Sequence, residues 1–282
     1  MMLQDIFPRK LDNSYKPDAK PASQDNVLML VDRQVVAGID GEITFPKVCE
    51  IIGESREPLI YLFSIDDESY FLLQSDDPME HVQDGSGYAL RNIKDLRESK
   101  VGPRYRVFAS TIGKHLADWY RDFVYCGRCG KRMEHSDKER AKVCPICGYT
   151  AYPRIMPAVI VGVISGDRLL ITKYRRGYNH SALVAGFTEI GETMEETVAR
   201  EVMEEAGIHV KNIRYYKSQP WGIAGDILMG YYCDVDGDDT IHMDEGELKY
   251  AQWTRREDIV LQPDESSLTN EMMKRFKEGK NI

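Results

Sequence analysis

The residues with the most chemistry to offer lie between Gly186 and Ile208, where Glu192 is followed by Arg200, Glu201, Glu204 and Glu205. On a helix Glu201, Glu204 and Glu205 stand at i, i+3 and i+4, so they are surface neighbours and repel one another. An acidic helix is ordinarily a solvated face. Here, however, Met194, Val198, Glu201 and Glu205 step by 4, 3 and 4 residues and share one stripe. Two carboxylates therefore fall in line with apolar side chains at the edge of a buried face. Such groups are costly unless a cation compensates them, and hard oxygen ligands suit Mg2+ or Mn2+. The glycine-containing loop ahead of the helix is placed to bring backbone carbonyls and Glu192 to the same ions.

A second constellation is Cys126-x2-Cys129, then 14 residues, then Cys144-x2-Cys147. Two tight turns, each with a glycine just after its second cysteine (Gly130, Gly148), can present four thiolates to a tetrahedral ion. Four thiolates leave no open position, which predicts one structural Zn2+ per chain rather than disulfides or a catalytic metal. Such a ribbon can bind nucleic acid or clip two domains together. Cys49 and Cys233 sit in strand-like runs and are expected to be small buried apolar residues.

The elements that must position these groups follow from pattern. Residues 1–23 read as a polar lead-in broken by Pro8, Pro17 and Pro21. Apolar β-prone runs follow at Val27–Val36, Ile43–Ile52, Leu59–Ile65 and Tyr70–Leu73, then a helix from about Val107 to Phe123 with Ile112, Leu116, Trp119 and Phe123 on one stripe. Beyond the cysteines, strands are predicted at Pro157–Ile164 and Arg168–Lys173, turned at Ser165-Gly166-Asp167, then at Val210–Ser218, Leu228–Val235 and Leu248–Thr254. Helices are predicted at Glu192–Ala206, closed by Gly207, and at Ser267–Glu278. The chain has 282 residues, 42% apolar and 29% charged, which is an ordinary globular composition long enough for about two domains. No apolar run reaches a membrane-spanning length, and the first residues lack an apolar signal-peptide core. The expectation is a cytoplasmic protein. The net charge, 37 − 46 = −9, disfavours generic nucleic-acid binding and requires local charge reversal for an anionic substrate.

The segment Gly186–Ile208 resembles a complete Nudix box: Gly, five residues, Glu192, seven residues, then Arg-Glu-apolar-x-Glu-Glu-x-Gly-apolar. The whole arrangement is similar to the bacterial NADH pyrophosphatase (NAD diphosphatase) family. Trp119-x3-Phe123-x2-Cys126 resembles the family's entry into its zinc ribbon. Tyr152-Pro153-Arg154-Ile155-x-Pro157 and Ser218-Gln219-Pro220-Trp221 match further family segments, and the likeness spans about residues 105–275. The resemblance implies a β-rich N-terminal domain ending in a helix (1–120), a four-Cys ribbon (121–152) and a Nudix domain (153–282), an α/β/α sandwich on a mixed sheet, in all an α+β protein. It implies hydrolysis of the pyrophosphate of NAD(H) to nicotinamide mononucleotide and AMP, and action on NAD-capped RNA, by a homodimer. It makes the Ala185 carbonyl, Glu201, Glu205 and Glu247 ligands of Mg2+ or Mn2+, and Glu204 or Glu205 the base, with Arg200 orienting a box carboxylate. It makes Tyr152 and Phe187 the aromatic pair around a base, and Glu139, Gln219, Pro220, Trp221, Asp226 and Thr269 substrate-lining positions.

One segment departs from the family. After Trp221 the family usually reads Pro-Phe-Pro-x-Ser, and this chain reads Gly222-Ile223-Ala224-Gly225-Asp226. The change leaves the box intact but opens an alternative, Nudix hydrolysis of ADP-ribose or another ADP-linked substrate, with Asp226 repelling a phosphate, binding a ribose hydroxyl or holding a further metal. A non-catalytic nucleotide sensor ranks lower, because every box carboxylate is present.

Overall fold

The computed structural model describes residues 2–53, 58–99, 101–177 and 179–280. It divides into two compact units, one of 3–154 with 222–225, the other of 1–2, 155–221 and 226–282. No helix among the described residues is long and apolar enough to cross a membrane.

In the first unit the strands are β1 (Leu11–Asp12), β2 (Asn26–Leu28), β3 (Leu30–Val31), β4 (Gln34–Asp40), β5 (Glu42–Thr44), β6 (Ile60–Ile65), β7 (Glu68–Leu72) and β8 (Tyr88–Asn92), followed by helices α1 (Ile93–Glu98) and α2 (Arg104–Asp122). They form one sheet in the order β1-β6-β7-β2 and another in which β4 pairs β3, β5 and β8. Helix α2 buries Val107, Phe108, Leu116, Trp119 and Tyr120 in a core shared with Leu28, Ile43, Phe63 and Tyr70. Three readings are corrected here. The lead-in is not merely polar, since Leu3 joins this core and β1 pairs with β6. The run Ile43–Ile52 is strand only at its start: Pro46 has no amide hydrogen to donate, and a 3-10 turn follows at Val48–Glu50. Cys49 lies on that turn and is exposed rather than buried.

The ribbon follows with β9 (Glu134–His135), β10 (Lys142–Val143) and β11 (Thr150–Ala151), in the order β11-β10-β9. The loop 222–225 packs within the same unit. A β-carbon on Gly222 would lie 2.3 Å from the Thr111 carbonyl oxygen, and Ile223 packs against the core around α2. In this fold a side chain at 222, a proline ring included, has no room against the Thr111 carbonyl.

The second unit holds β12 (Met156–Ser165), β13 (Arg168–Tyr174), β14 (Val184–Phe187), α3 (Met194–Ala206), β15 (Val210–Trp221), β16 (Asp226–Val235), β17 (Leu248–Arg255) and α4 (Leu268–Lys277). The sheet runs β15-β16-β12-β13-β17 with β14 also paired to β12. It is mixed, since β12 and β16 are parallel and the other pairs antiparallel. Alternation of side chains gives each face its own helix. On one face Val198, Val202 and Ala206 of α3 pack on Val159, Val161, Val163 and Cys233. On the other, Leu268, Met272 and Phe276 of α4 pack on Ile160, Ile164, Leu169 and Tyr232. The result is three layers, helix on sheet on helix, as expected. Cys233 is buried, as expected of a small apolar residue.

Candidate active site and metal centres

Helix α3 is fixed at both ends by local chemistry. The Thr193 hydroxyl accepts from the Glu196 amide (3.2 Å) while the Glu196 carboxylate accepts from the Thr193 amide (2.7 Å), a reciprocal cap. At the other end Gly207 takes the left-handed conformation, φ +67°, that ends the helix cleanly.

Within that frame Arg200 gathers the box. Its Nε donates to Glu192 Oε1 (2.6 Å) and its Nη2 to Glu192 Oε2 (2.9 Å), a two-pronged pair. Its Nη1 reaches Glu201 (2.8 Å) and Glu204 (2.9 Å), and Nη2 also reaches the Phe187 carbonyl (2.9 Å). Arg200 holds the Glu192 carboxyl down at about 2. Glu192 is thus spent on Arg200, on the Thr197 hydroxyl (2.9 Å) and on the Glu189 amide (3.1 Å), and the loop between β14 and α3 is tied to the helix.

The stripe places its two carboxylates differently. Glu201 is half-buried over Gly186, and desolvation pushes its pKa up. Glu205 is 1% exposed. Its Oε1 accepts from the Tyr174 hydroxyl (2.9 Å) and, at 3.5 Å, from the Ala185 amide. Burial pushes Glu205 up to about 8, with repulsion from Glu247 and Glu201 acting in the same direction against the Tyr174 hydrogen bond. The same Tyr174 hydroxyl lies 3.4 Å from the Ala185 carbonyl oxygen, so Ala185 and Glu205 share one neighbourhood. Glu247, just ahead of β17, is close enough to raise both glutamates, and Glu204 points outward, 60% exposed, against Arg200. Glu205 is buried, Glu201 half-buried and Glu247 exposed, and their mutual repulsion is of the kind that a divalent cation bound by hard oxygens relieves. Tyr174 was not foreseen. It stands at the end of a strand far from the box in sequence, and its hydroxyl would be recognised only once β13 is placed beside α3.

The four ribbon cysteines form the other metal centre. Among the described residues they alone bring three or more candidate ligand atoms within 4.8 Å of one another. The Cys126–Cys147 and Cys129–Cys144 sulfurs are 3.7 and 3.5 Å apart. Gly130 and Gly148 take φ of +71° and +70°, as the two thiolate turns require. Soft thiolates in this closed set fit structural Zn2+.

The substrate-lining candidates are distributed over both units. Tyr152 is 53% exposed and its hydroxyl donates to Glu139 (2.7 Å). Phe187 is 51% exposed at the end of β14, so neither aromatic is ordinary core. Trp221 is half-buried and Pro220 exposed. Thr269 is half-buried in the first turn of α4. Gln219 is fully buried; its amide nitrogen donates to Ser266 O (2.9 Å) and its carbonyl accepts from Leu268 N (2.7 Å), so its side chain holds the start of α4.

Sequence comparison agrees with this geometry. Residues 154–276 match the NUDIX domain family and residues 121–152 the NADH pyrophosphatase zinc ribbon domain. The chain is 37% identical over 184 residues to the NAD-capped RNA hydrolase NudC of Photorhabdus laumondii, covering 64% of this chain and 71% of that protein. It is 44% identical over 153 residues to NudC of Shigella flexneri, covering 54% and 59%. A solved NUDIX hydrolase from Nitrosomonas europaea is 21% identical, covering 55% of this chain and 90% of that one, at a TM-score of 0.47. The two family matches and the Photorhabdus relative define the class, a Nudix-domain protein. The chain belongs to the Nudix family, in the branch that carries the NADH pyrophosphatase zinc ribbon.

Proposed function

We propose that the protein hydrolyses the pyrophosphate of NAD(H), giving nicotinamide mononucleotide and AMP, and that it removes the same group from NAD-capped RNA. The observation that carries the reading is Glu205, a carboxylate buried within reach of the repelling carboxylates Glu201 and Glu247. Glu201, Glu205, Glu247 and the Ala185 carbonyl would hold Mg2+ or Mn2+, which would supply charge neutralisation for the phosphates and a water of lowered pKa. The chain's own residues do the rest. Arg200 fixes Glu192, Glu201 and Glu204 relative to the loop. Tyr174 fixes the Glu205 carboxylate by donating to both of its oxygens (2.9 and 3.3 Å). Glu204 or Glu205 takes the proton from the attacking water. Tyr152 and Phe187 offer exposed ring faces for bases, each contact worth about 1–3 kcal/mol, with Glu139, Pro220, Trp221, Asp226 and Thr269 lining the substrate and Gln219 bracing it.

The protein is further proposed to be a cytoplasmic homodimer. Product analysis on NADH, NAD+ and ADP-ribose, each with Mg2+ and with Mn2+, tests the assignment. The expected products are the nicotinamide mononucleotide and AMP, and a strong preference for ADP-ribose would overturn it.

A further inference from the structure

Asp226 opens β16, where the family pattern has a serine, and it is 6% exposed. Its Oδ1 is buried without a hydrogen-bond partner, and no ion pair involves it among the described residues. A carboxylate so placed is costly to keep charged and calls for an occupant that compensates it.

The sheet register shows what shares its surroundings. Residues paired across neighbouring strands project from the same face. Asp226 is paired with Trp221 on β15 and with Met156 on β12. Two residues along β12, Ala158 is paired with Phe187 on β14 and with Leu228 on β16. Ile160 on β12 and Leu228 on β16 belong to the core under α4, which identifies the face. Phe187, Asp226 and Trp221 therefore project from the α4 side of one sheet end. Phe187 and Asp226 lie on strands either side of β12, about 10 Å apart across the sheet and one pleat repeat along it. That span admits a single planar ring with an exposed aromatic on one side and a buried, unpartnered carboxylate on the other.

We infer that Asp226 selects a positively charged ring at this sheet end, the oxidised pyridinium of NAD+ over the neutral dihydropyridine of NADH. The inference rests on the NAD(H) reading above and adds to it a redox preference set by Asp226. The two forms of the cofactor have nearly the same shape, and charge is the property Asp226 can read. Phe187 and Trp221 favour the same form, because aromatic faces attract cations. Unit charges about 6 Å apart at an effective dielectric constant near 20 favour the cation by roughly 100-fold. Water reaching the ring reduces this, so a preference of about 10-fold or more is expected. Adenine, neutral at physiological pH, leaves Asp226 uncompensated.

Equilibrium binding tests the inference without turnover. Oxidised and reduced nicotinamide mononucleotide are titrated calorimetrically into the full-length, zinc-loaded protein without added Mg2+ or Mn2+, as wild type and as Asp226→Asn and Asp226→Ser. Wild type is expected to bind the oxidised form at least about 10-fold tighter, and both variants to bring the ratio near one. Equal binding of the two forms by wild type overturns the inference, as does a ratio that survives in both variants. Circular dichroism confirms that the variants fold, and two replacements of different size guard against failure of one. Turnover with Mg2+ separates this from the parent reading: no hydrolysis of either dinucleotide defeats the NAD(H) assignment, whereas hydrolysis of NAD+ and NADH with equal kcat/KM defeats the Asp226 inference alone.

Discussion

The Glu201 carboxylate lies directly over the α-carbon of Gly186: a β-carbon built on that glycine would stand 1.9 Å from Glu201 Cδ and 2.0 Å from Oε1. The glycine at 186 leaves room for the Glu201 carboxylate. Any side chain at 186 displaces the Glu201 carboxylate. Gly186→Ala is therefore expected to lower kcat by more than about 100-fold, the upper range for disturbing a group that orients a metal ligand. The β12–β14 pairing involves only backbone and should survive. Steady-state kinetics with circular dichroism on the same sample checks both halves.

Glu205 links stability to pH in the protein without Mg2+. Its folded pKa, pushed up to about 8 by burial and by its acidic neighbours, lies above the ordinary carboxylate value of 4.5. The folded state therefore binds the proton more tightly than the unfolded state does. Stability from this group is fully present below about pH 4.5 and is lost as pH rises through 8, by an amount on the order of 5 kcal/mol. In the zinc-loaded protein without added Mg2+ the melting temperature should fall across that window, and Glu205→Gln should remove this part of the slope while nearly abolishing turnover. Millimolar Mg2+ should restore the wild-type melting temperature at pH 8 through binding to the folded state, and leave the variant unmoved. Thermal melts at several pH values, with and without the ion, make the comparison.

Much of this site is local in sequence and was legible there. Thr193 and Glu196 announce the start of α3, Gly207 its end, and the 4-3-4 spacing puts Val198, Glu201 and Glu205 on one face. The cysteine spacing likewise carries its own geometry. What could not be read depends on partners distant in the chain. Tyr174 meets Glu205 only through the packing of β13 beside α3. Gln219 belongs to a family signature, yet its side chain serves α4, because the strand end delivers it to Ser266 and Leu268. Strand β14 is only four residues long and its glycine and alanine give little apolar signal. Cys49 was misplaced for a related reason: an apolar run looks like a strand until Pro46 is weighed against it.

Arg200 is a clamp whose shape matters as well as its charge. Two parallel hydrogen bonds to Glu192 and separate ones to Glu201, Glu204 and Phe187 O require a planar fork of donors. A lysine offers one point charge on a flexible stem. Arg200→Lys is expected to lose about 10- to 100-fold in kcat, close to the loss from Arg200→Ala, with little change in fold. Carboxyl titration followed by NMR should show Glu192 climbing from about 2 toward its ordinary value in both variants. A lysine variant with wild-type kcat would show that charge alone suffices.

The ribbon depends on its ion for folding as well as for shape. Its strands β9, β10 and β11 are two residues each, and its small core includes the metal-ligand cysteines Cys126 and Cys144 themselves. So little apolar surface cannot hold such a segment, and in sites of this kind the free energy of metal binding is the free energy of folding. Elemental analysis should find one zinc per chain. Cys144→Ser, or prolonged exposure to a strong chelator, should remove it. Limited proteolysis should then cut within 121–152, a segment protected in the zinc-loaded protein, and zinc returned to the chelated wild type should restore protection while leaving Cys144→Ser open to cleavage. Protection that persists after the metal has gone would mean that the short strands fold without it.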